Sequence, residues 1–322
     1  MRWFGHGPVM GLDVGSGMLK AVELSRRGGQ TVVDRVGIAA LPGSAIAPGG
    51  LFLDPPAIAN TIRKLCRDHH LRRRRAAVAL AGDGVVLARL KIERSALHTI
   101  DALVHEEVSR LAPFPLADAL VDFQILDNFA HSRLADALVV AARRSQVERL
   151  QDLLLRAGLS ALIVESAACA LANVFEWNYD PSPDDITALL HVGAAWMTLC
   201  ILRGSTPILA RDLALVTPTP ERVVVELERF LEEMDEVSDD QPLEPRSNQI
   251  RRLLLSGGGA RMRGLDDLLK ARFRAPFEEL NPFLKIEFRR TDALSLLVIE
   301  HLHCMPVAVG LALQGLSPRG LE

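Results

Sequence analysis

The sequence predicts an α/β protein of two related lobes, with a small module inserted in the first. Three observations carry that reading. A strand, glycine turn, strand pattern runs from Val9 to Leu24 and recurs from Ala188 to Leu202, at the heads of two halves of the chain. A third glycine loop, Leu253–Ala260, leaves a strand and leads towards a helix. Between the two hairpins, residues 88–160 read as a βαββα block with its own apolar periodicity and no residue of catalytic type.

Composition bounds the function. The chain has 322 residues, 49% hydrophobic and 24% charged, enough for two domains or one two-lobed unit. A net charge of −3 supplies no basic field to draw nucleic acid. Cys66, Cys169, Cys200 and Cys304 lie far apart in mostly apolar surroundings, so buried thiols in a reducing compartment are expected. Asp13 and Lys20 interrupt any signal-type apolar core near the start, and no run approaches the ~20 apolar residues that span a bilayer. The expectation is a cytoplasmic protein that does not itself insert into a membrane.

The elements follow in order. After the first hairpin, Val32–Ile38 reads as a strand, and Asp54-Pro55-Pro56 opens a helix carrying Ile58, Ile62 and Leu65. Arg72–Arg75 is expected to be a solvated connection before the strand Ala76–Leu80. Leu87–Ile92 reads as a strand. Ile100, Leu103, Val104, Val108 and Leu111 then mark a helix that Pro113-Phe114-Pro115 ends. Leu120–Leu126 and Leu138–Ala142 alternate as strands. Ser145-Gln146-Val147-Glu148 is a capping-box pattern, and Gly158 closes that helix. Leu162–Glu165 is a strand, and Ser166–Glu176 a helix of small residues suited to close approach. Thr217-Pro218-Thr219-Pro220 leads into a helix bearing Val223, Leu227, Phe230, Leu231 and Met234, and Asp235–Gln249 reads as an exposed loop. Thr291–His301 and Pro306–Leu313 read as two closing helices. His98, His105 and His131 are expected at the surface, and neither His69-His70 nor His301/His303 has further metal ligands at suitable spacing.

The candidate chemistry lies in the loops. Gly15, Ser16 and Gly17 make a tight turn whose N–H groups can face an anion and whose glycines permit positive φ or close ligand approach. Asp13, at the strand end, is of the type that holds hydrated Mg²⁺ beside a phosphate. Laid on this hairpin, the second places His191 on Asp13, Gly193 on Gly15 and Thr198 on Lys20. Neither a P-loop nor a Rossmann fingerprint fits any of the three loops.

Three glycine loops in this order resemble the actin-like/ribonuclease H-like ATPase fold. More closely, the chain resembles the PilM family of type IV pilus assembly proteins, related to the cell-division protein FtsA. The residues carrying the likeness span nearly the whole chain. They are Gly11–Ser16 with Lys20–Leu24, Glu107 with Pro113–Leu116, Asp122-Phe123-Gln124, Ala141-Ala142-Arg143, Leu255–Ala260, Asn281-Pro282-Phe283 and Val307–Leu313. The resemblance implies duplicated lobes with an inserted 1C-type subdomain: residues 1–87 and 161–185 in lobe 1, 88–160 in the insert, 186–303 in lobe 2, and 304–322 as a C-terminal helix returning to lobe 1. It implies ATP and Mg²⁺ as ligands, held by Asp13 (also the metal position), Gly15, Ser16, Gly17, Lys20, Gly193, Thr198, Gly257, Gly258 and Gly259. It implies a partner too, the cytoplasmic N-terminal peptide of a PilN-like bitopic inner-membrane protein. That peptide would lie in a groove near Arg89, Leu90, Ile92, Phe114 and Leu120, so that the protein is peripheral to the inner membrane through its partner.

The second loop departs from the family pattern. His191 stands where an Asp is usual, and Ala194, Ala195 and Trp196 replace small hydroxyl residues. A neutral imidazole cannot replace a carboxylate facing hydrated Mg²⁺. Trp196 either brings a large ring to the phosphate position or turns away into core packing. The expectation is a degenerate cleft in a scaffold protein. The alternatives are an active ATPase or phosphotransferase of the sugar-kinase type, an FtsA-like polymer former, and a paralogue serving a pseudopilus.

Overall fold

The computed structural model describes residues 9–43, 45–47, 50–126, 133–215, 218–240, 245–288 and 293–316. His131, Thr217, Thr291 and the C-terminal segment beyond Leu316 lie outside the described residues.

The first hairpin forms as its alternation dictates. Strand β1 (Met10–Val14) pairs antiparallel with β2 (Met18–Arg27), and β2 with β3 (Gln30–Ala40). Helix α1 (Pro55–Asp68) follows, capped by the Asp54 carboxylate, which accepts the Ala57 N–H. Strand β4 (Arg75–Leu80) then lies parallel to β1. Strand β5 (Val85–Glu93), α2 (Ile100–Leu111), β6 (Ala119–Leu126) and β7 (Leu134–Arg143) build a separate sheet in the order β5-β7-β6. Helix α3 (Arg144–Arg156), β8 (Ser160–Ser166) and α4 (Ala167–Asn178) return to the first lobe, where β8 runs parallel to β4.

The second lobe repeats the plan. Strands β9 (Ile186–Val192), β10 (Trp196–Arg203) and β11 (Thr206–Ala214) form an antiparallel meander, and α5 (Pro220–Asp240) packs beside it. Strand β12 (Ile250–Ser256) lies parallel to β9; α6 (Leu265–Arg272) and β13 (Phe277–Glu279) follow. The sheet orders β3-β2-β1-β4-β8 and β11-β10-β9-β12-β13 are the same topology written twice. Strand β14 (Ile286–Phe288) crosses back to pair with β3, and α7 (Ala293–His301) and α8 (Pro306–Gln314) end the described chain.

Helices α4 and α8 form the spine between the sheets, their apolar residues sharing one core with Val22, Leu24, Leu189 and Leu254. Small residues set their separation. A Cβ on Gly310 would lie 1.8 Å from the Ala170 carbonyl oxygen, and one on Gly11 would lie 2.0 Å from that of Ala308. No single helix among the described residues is long and apolar enough to cross a membrane.

Several local expectations change. The insert's sheet spans 85–143, and α3 packs Leu150, Leu153 and Leu154 into the core of lobe 1, because its apolar stripe faces α1. The Ser145 cap is not realised: β7 runs straight into α3, which starts at Arg144 with no side-chain cap. The helix carrying Phe230 continues through Asp235 to Asp240 in place of a loop, and Asp235 is held there by the Ser247 N–H and hydroxyl. Arg73 is not simply solvated. It donates to the Val9 carbonyl and pairs with Asp34, while the Arg72 and Arg73 N–H groups donate to the buried Glu23 carboxylate.

Candidate functional site

The two hairpins meet turn to turn between the lobes. In the first, Asp13 and Lys20 are register partners, so their side chains share a face and the Lys20 ammonium donates to Asp13 Oδ2 at 2.6 Å. Both are buried. Gly15 and Gly17 do not use the freedom of positive φ. Gly15 is a glycine for space, since a Cβ there would lie 2.9 Å from Lys20 Nζ and 3.0 Å from the Met18 carbonyl oxygen, whereas one on Gly17 would make an ordinary contact of 3.4 Å with Ala194 Cβ in the opposing turn. Ser16 sits half-buried between them.

The second hairpin has the same register, with His191 opposite Thr198. His191 Nδ1 lies 2.9 Å from Ser256 Oγ. Burial lowers the His191 pKa to about 4 against the opposing pull of Asp13, so the ring is neutral at physiological pH. The acid missing from position 191 is found two strands over. Asp212, register partner of Thr198 on β11, accepts the Thr198 hydroxyl at 2.5 Å and the Gly82 N–H of lobe 1 at 2.9 Å. Burial raises its pKa to about 6 despite both hydrogen bonds. Gly193 closes the turn by donating its N–H to the Trp196 carbonyl at 2.8 Å.

The Trp196 ring lies on Gly82 of lobe 1, where a Cβ would stand 2.7 Å from its six-membered ring. Its indole nitrogen points towards Gly50 and is buried with no hydrogen-bond partner among the described residues. Ala194 is exposed and Ala195 buried.

The third loop is shaped by packing. Gly257 has φ +88°, and a Cβ there would lie 2.3 Å from the Val192 carbonyl oxygen; one on Gly259 would lie 2.4 Å from Val192 Cγ1. Gly258 is open, with only Cys304 Sγ at 3.9 Å. Two of the three glycines thus seat the loop on the end of β9.

Asp13 is engaged by Lys20, His191 by Ser256, and Asp212 by Thr198 and Gly82, and among the described residues no cluster of three or more His, Cys, Asp or Glu side chains offers a metal site. Sequence reasoning also passed over Glu165, at the end of β8. Its carboxylate accepts two bonds from Asn173 at 3.2 Å, yet burial pushes its pKa up to about 8. The nearby Cys169 thiol rises to about 12 through burial and the Glu165 charge. The signal for Glu165 was an acid ending an otherwise apolar strand.

A groove of about 390 Å³ lies where the small sheet faces lobe 2. Its walls are the edge strand β5 from Val85 to Arg89, the end of α2 with Glu107 and Leu111, and the edge strand β11 from Ile208 to Asp212. Of the residues expected there, only Arg89 lines it. Ile92 and Phe114 are buried in the small subdomain's core, and Leu90 packs against it, because β5 alternates and α2 covers that face. Leu120 lies on β6, the far edge of the sheet.

A family model described as type IV pilus assembly protein PilM matches residues 11–217. The chain belongs to the PilM family. A solved structure titled "PilM-PilN type IV pilus biogenesis complex" aligns over 97% of this chain and 99% of that one, with a TM-score of 0.81 and 25% identity. A protein from Bacteroides thetaiotaomicron, described as having an actin-like ATPase fold and unknown function, aligns over 86% of this chain and 93% of its own, with TM-score 0.52 and 10% identity. The fold of this PilM family member is therefore actin-like, with the lobes duplicated as the repeated sheet order requires.

Proposed function

We propose that this PilM family member is a scaffold of a type IV pilus inner-membrane assembly complex. In this reading it binds the cytoplasmic N-terminal segment of a PilN-like protein and sits at the cytoplasmic face of the membrane through that partner. The observation that carries the reading is the near end-to-end structural match to a PilM chain from a PilM-PilN complex. The groove between β5 and β11 is the natural seat for an extended peptide. It is walled by the edge strands of two sheets and presents apolar side chains such as Val85, Leu87, Leu111 and Ile208 to an extended chain.

The cleft reads as degenerate. The carboxylates and hydroxyls that would meet a magnesium nucleotide are paired with one another, and His191 is neutral. The scaffold reading thus ranks above ATP turnover.

Calorimetric titration with a synthetic PilN-like N-terminal peptide tests partner binding. Micromolar binding that Leu111→Glu weakens at least about tenfold is the expected result. No binding at high micromolar peptide refutes it. Titration with Mg-ATP tests the cleft: no heat from the unmodified protein is expected, and robust Asp13-dependent hydrolysis refutes the degenerate reading.

A further inference from the structure

Two side chains of lobe 2 converge on one glycine of lobe 1. Gly82 follows β4 with φ +107°, a conformation that already selects glycine. From one side the Trp196 ring covers it, so that a Cβ would stand 2.7 Å from Cζ2 and 2.9 Å from Cη2. From the other, Asp212 accepts its N–H at 2.9 Å. Asp212 is itself oriented by the Thr198 hydroxyl, and Trp196 opens the strand that carries Thr198. Ring and carboxylate therefore project from neighbouring strands of one sheet onto the same atoms of the opposite lobe. Beside them the two hairpin turns touch at Gly17 and Ala194.

We propose that Trp196 and Asp212 form a strap that fastens lobe 2 to Gly82 and holds the cleft closed by contacts within the chain, doing the work a bound nucleotide would do between two such lobes. The inference rests on the degenerate reading of the cleft, but its test reads lobe geometry rather than nucleotide affinity. A two-lobed protein closes when something binds the closed form better than the open one. A buried indole across the lobe boundary is such a contact, since aromatic rings carry large buried areas. The carboxylate fixes where the ring lands, because a hydrogen bond to one N–H tolerates little displacement. The strap thus keeps the groove between β5 and β11 in one shape: Gly82 and Asp212 both line it.

The test uses the full chain with spin labels on Lys64→Cys of α1 and Lys270→Cys of α6, both exposed positions on opposite lobes. Cys66, Cys200 and Cys304 are buried and Cys169 is half-buried, and the raised pKa of each keeps the four thiols protonated and slow to label. Pulsed electron resonance reads the interlobe distance without nucleotide and with Mg-ATP. The expected result is one narrow distance, unchanged by Mg-ATP. Trp196→Ser should add a longer population, shifting the open-to-closed ratio by about tenfold or more. Trp196→Phe, which keeps a ring and guards against misfolding, and Asp212→Asn should shift it in the same direction by less. A folded Trp196→Phe or Trp196→Ser protein with the unmodified distance overturns the strap, as does an unmodified protein that shortens its distance on adding Mg-ATP. Calorimetric binding of Mg-ATP with no change in distance would sink the degenerate reading and leave the strap standing.

Discussion

Glu165 makes the stability of this protein depend on pH in a direction that can be worked out. Its carboxyl has an ordinary pKa of 4.5 and one of about 8 in the fold, because burial outweighs the two bonds from Asn173. Between those values the folded chain keeps a proton that the unfolded chain has released. Stability is therefore greatest below the lower value and falls as pH rises through the higher one. The slope is at most about 1.4 kcal/mol per pH unit, and the full span is about 5 kcal/mol. Glu165→Gln removes the titration while keeping an acceptor for Asn173. Urea unfolding from pH 5 to 9 is the assay. The variant should match the unmodified protein within about 1 kcal/mol at pH 5 and exceed it by roughly 4 kcal/mol at pH 8.5. Asp212 shifts in the same direction but only up to about 6, and His191 in the opposite direction between 6.5 and about 4, so both are common to the two proteins and cancel in the difference. Parallel curves for the two proteins above pH 6.5 would refute the reasoning, since they would mean that Glu165 is ionised in the fold at little cost.

Other consequences follow from the packing and the cleft. Gly310→Ala drives a methyl into the Ala170 carbonyl and should cost at least the ~1–3 kcal/mol of an overpacked core; Gly258→Ala, facing only Cys304 Sγ, should unfold within about 0.5 kcal/mol of the unmodified protein. Phe114→Ala empties a core site in the small subdomain and should lose roughly 3–5 kcal/mol in urea unfolding, whereas Leu111→Glu on the groove rim should leave the midpoint nearly unchanged while weakening peptide binding. The double variant His191→Asp, Trp196→Ser returns a carboxylate opposite Asp13 and frees the turn. Its melting temperature without metal should fall and Mg-ATP should restore it, and a melting temperature indifferent to Mg-ATP would show that other groups close the site.

Much of the cleft was legible because it is built from hairpins. An alternating pattern across a short turn sets the register, so Asp13 with Lys20, and His191 with Thr198, follow from spacing along one or two strands. The second acid was not legible in the same way. Asp212 is joined to Thr198 across a strand pair and to Gly82 across 130 residues, and no local period announces a partner at that separation. The walls of the groove between β5 and β11 were not legible for a similar reason. Ile92 and Phe114 look like apolar candidates for a peptide until α2 is seen to cover them.

The sequence by itself determined the repeated strand, glycine turn, strand pattern and the family, because hydrophobic period and glycine placement act over a few residues. Only the tertiary structure decided which way Trp196 turns, what Asp212 holds, how far Glu165 is driven from its ordinary pKa, and which edges of two sheets enclose the groove. Those are properties of surfaces brought together from distant parts of the chain, where burial and contact depend on what arrives opposite.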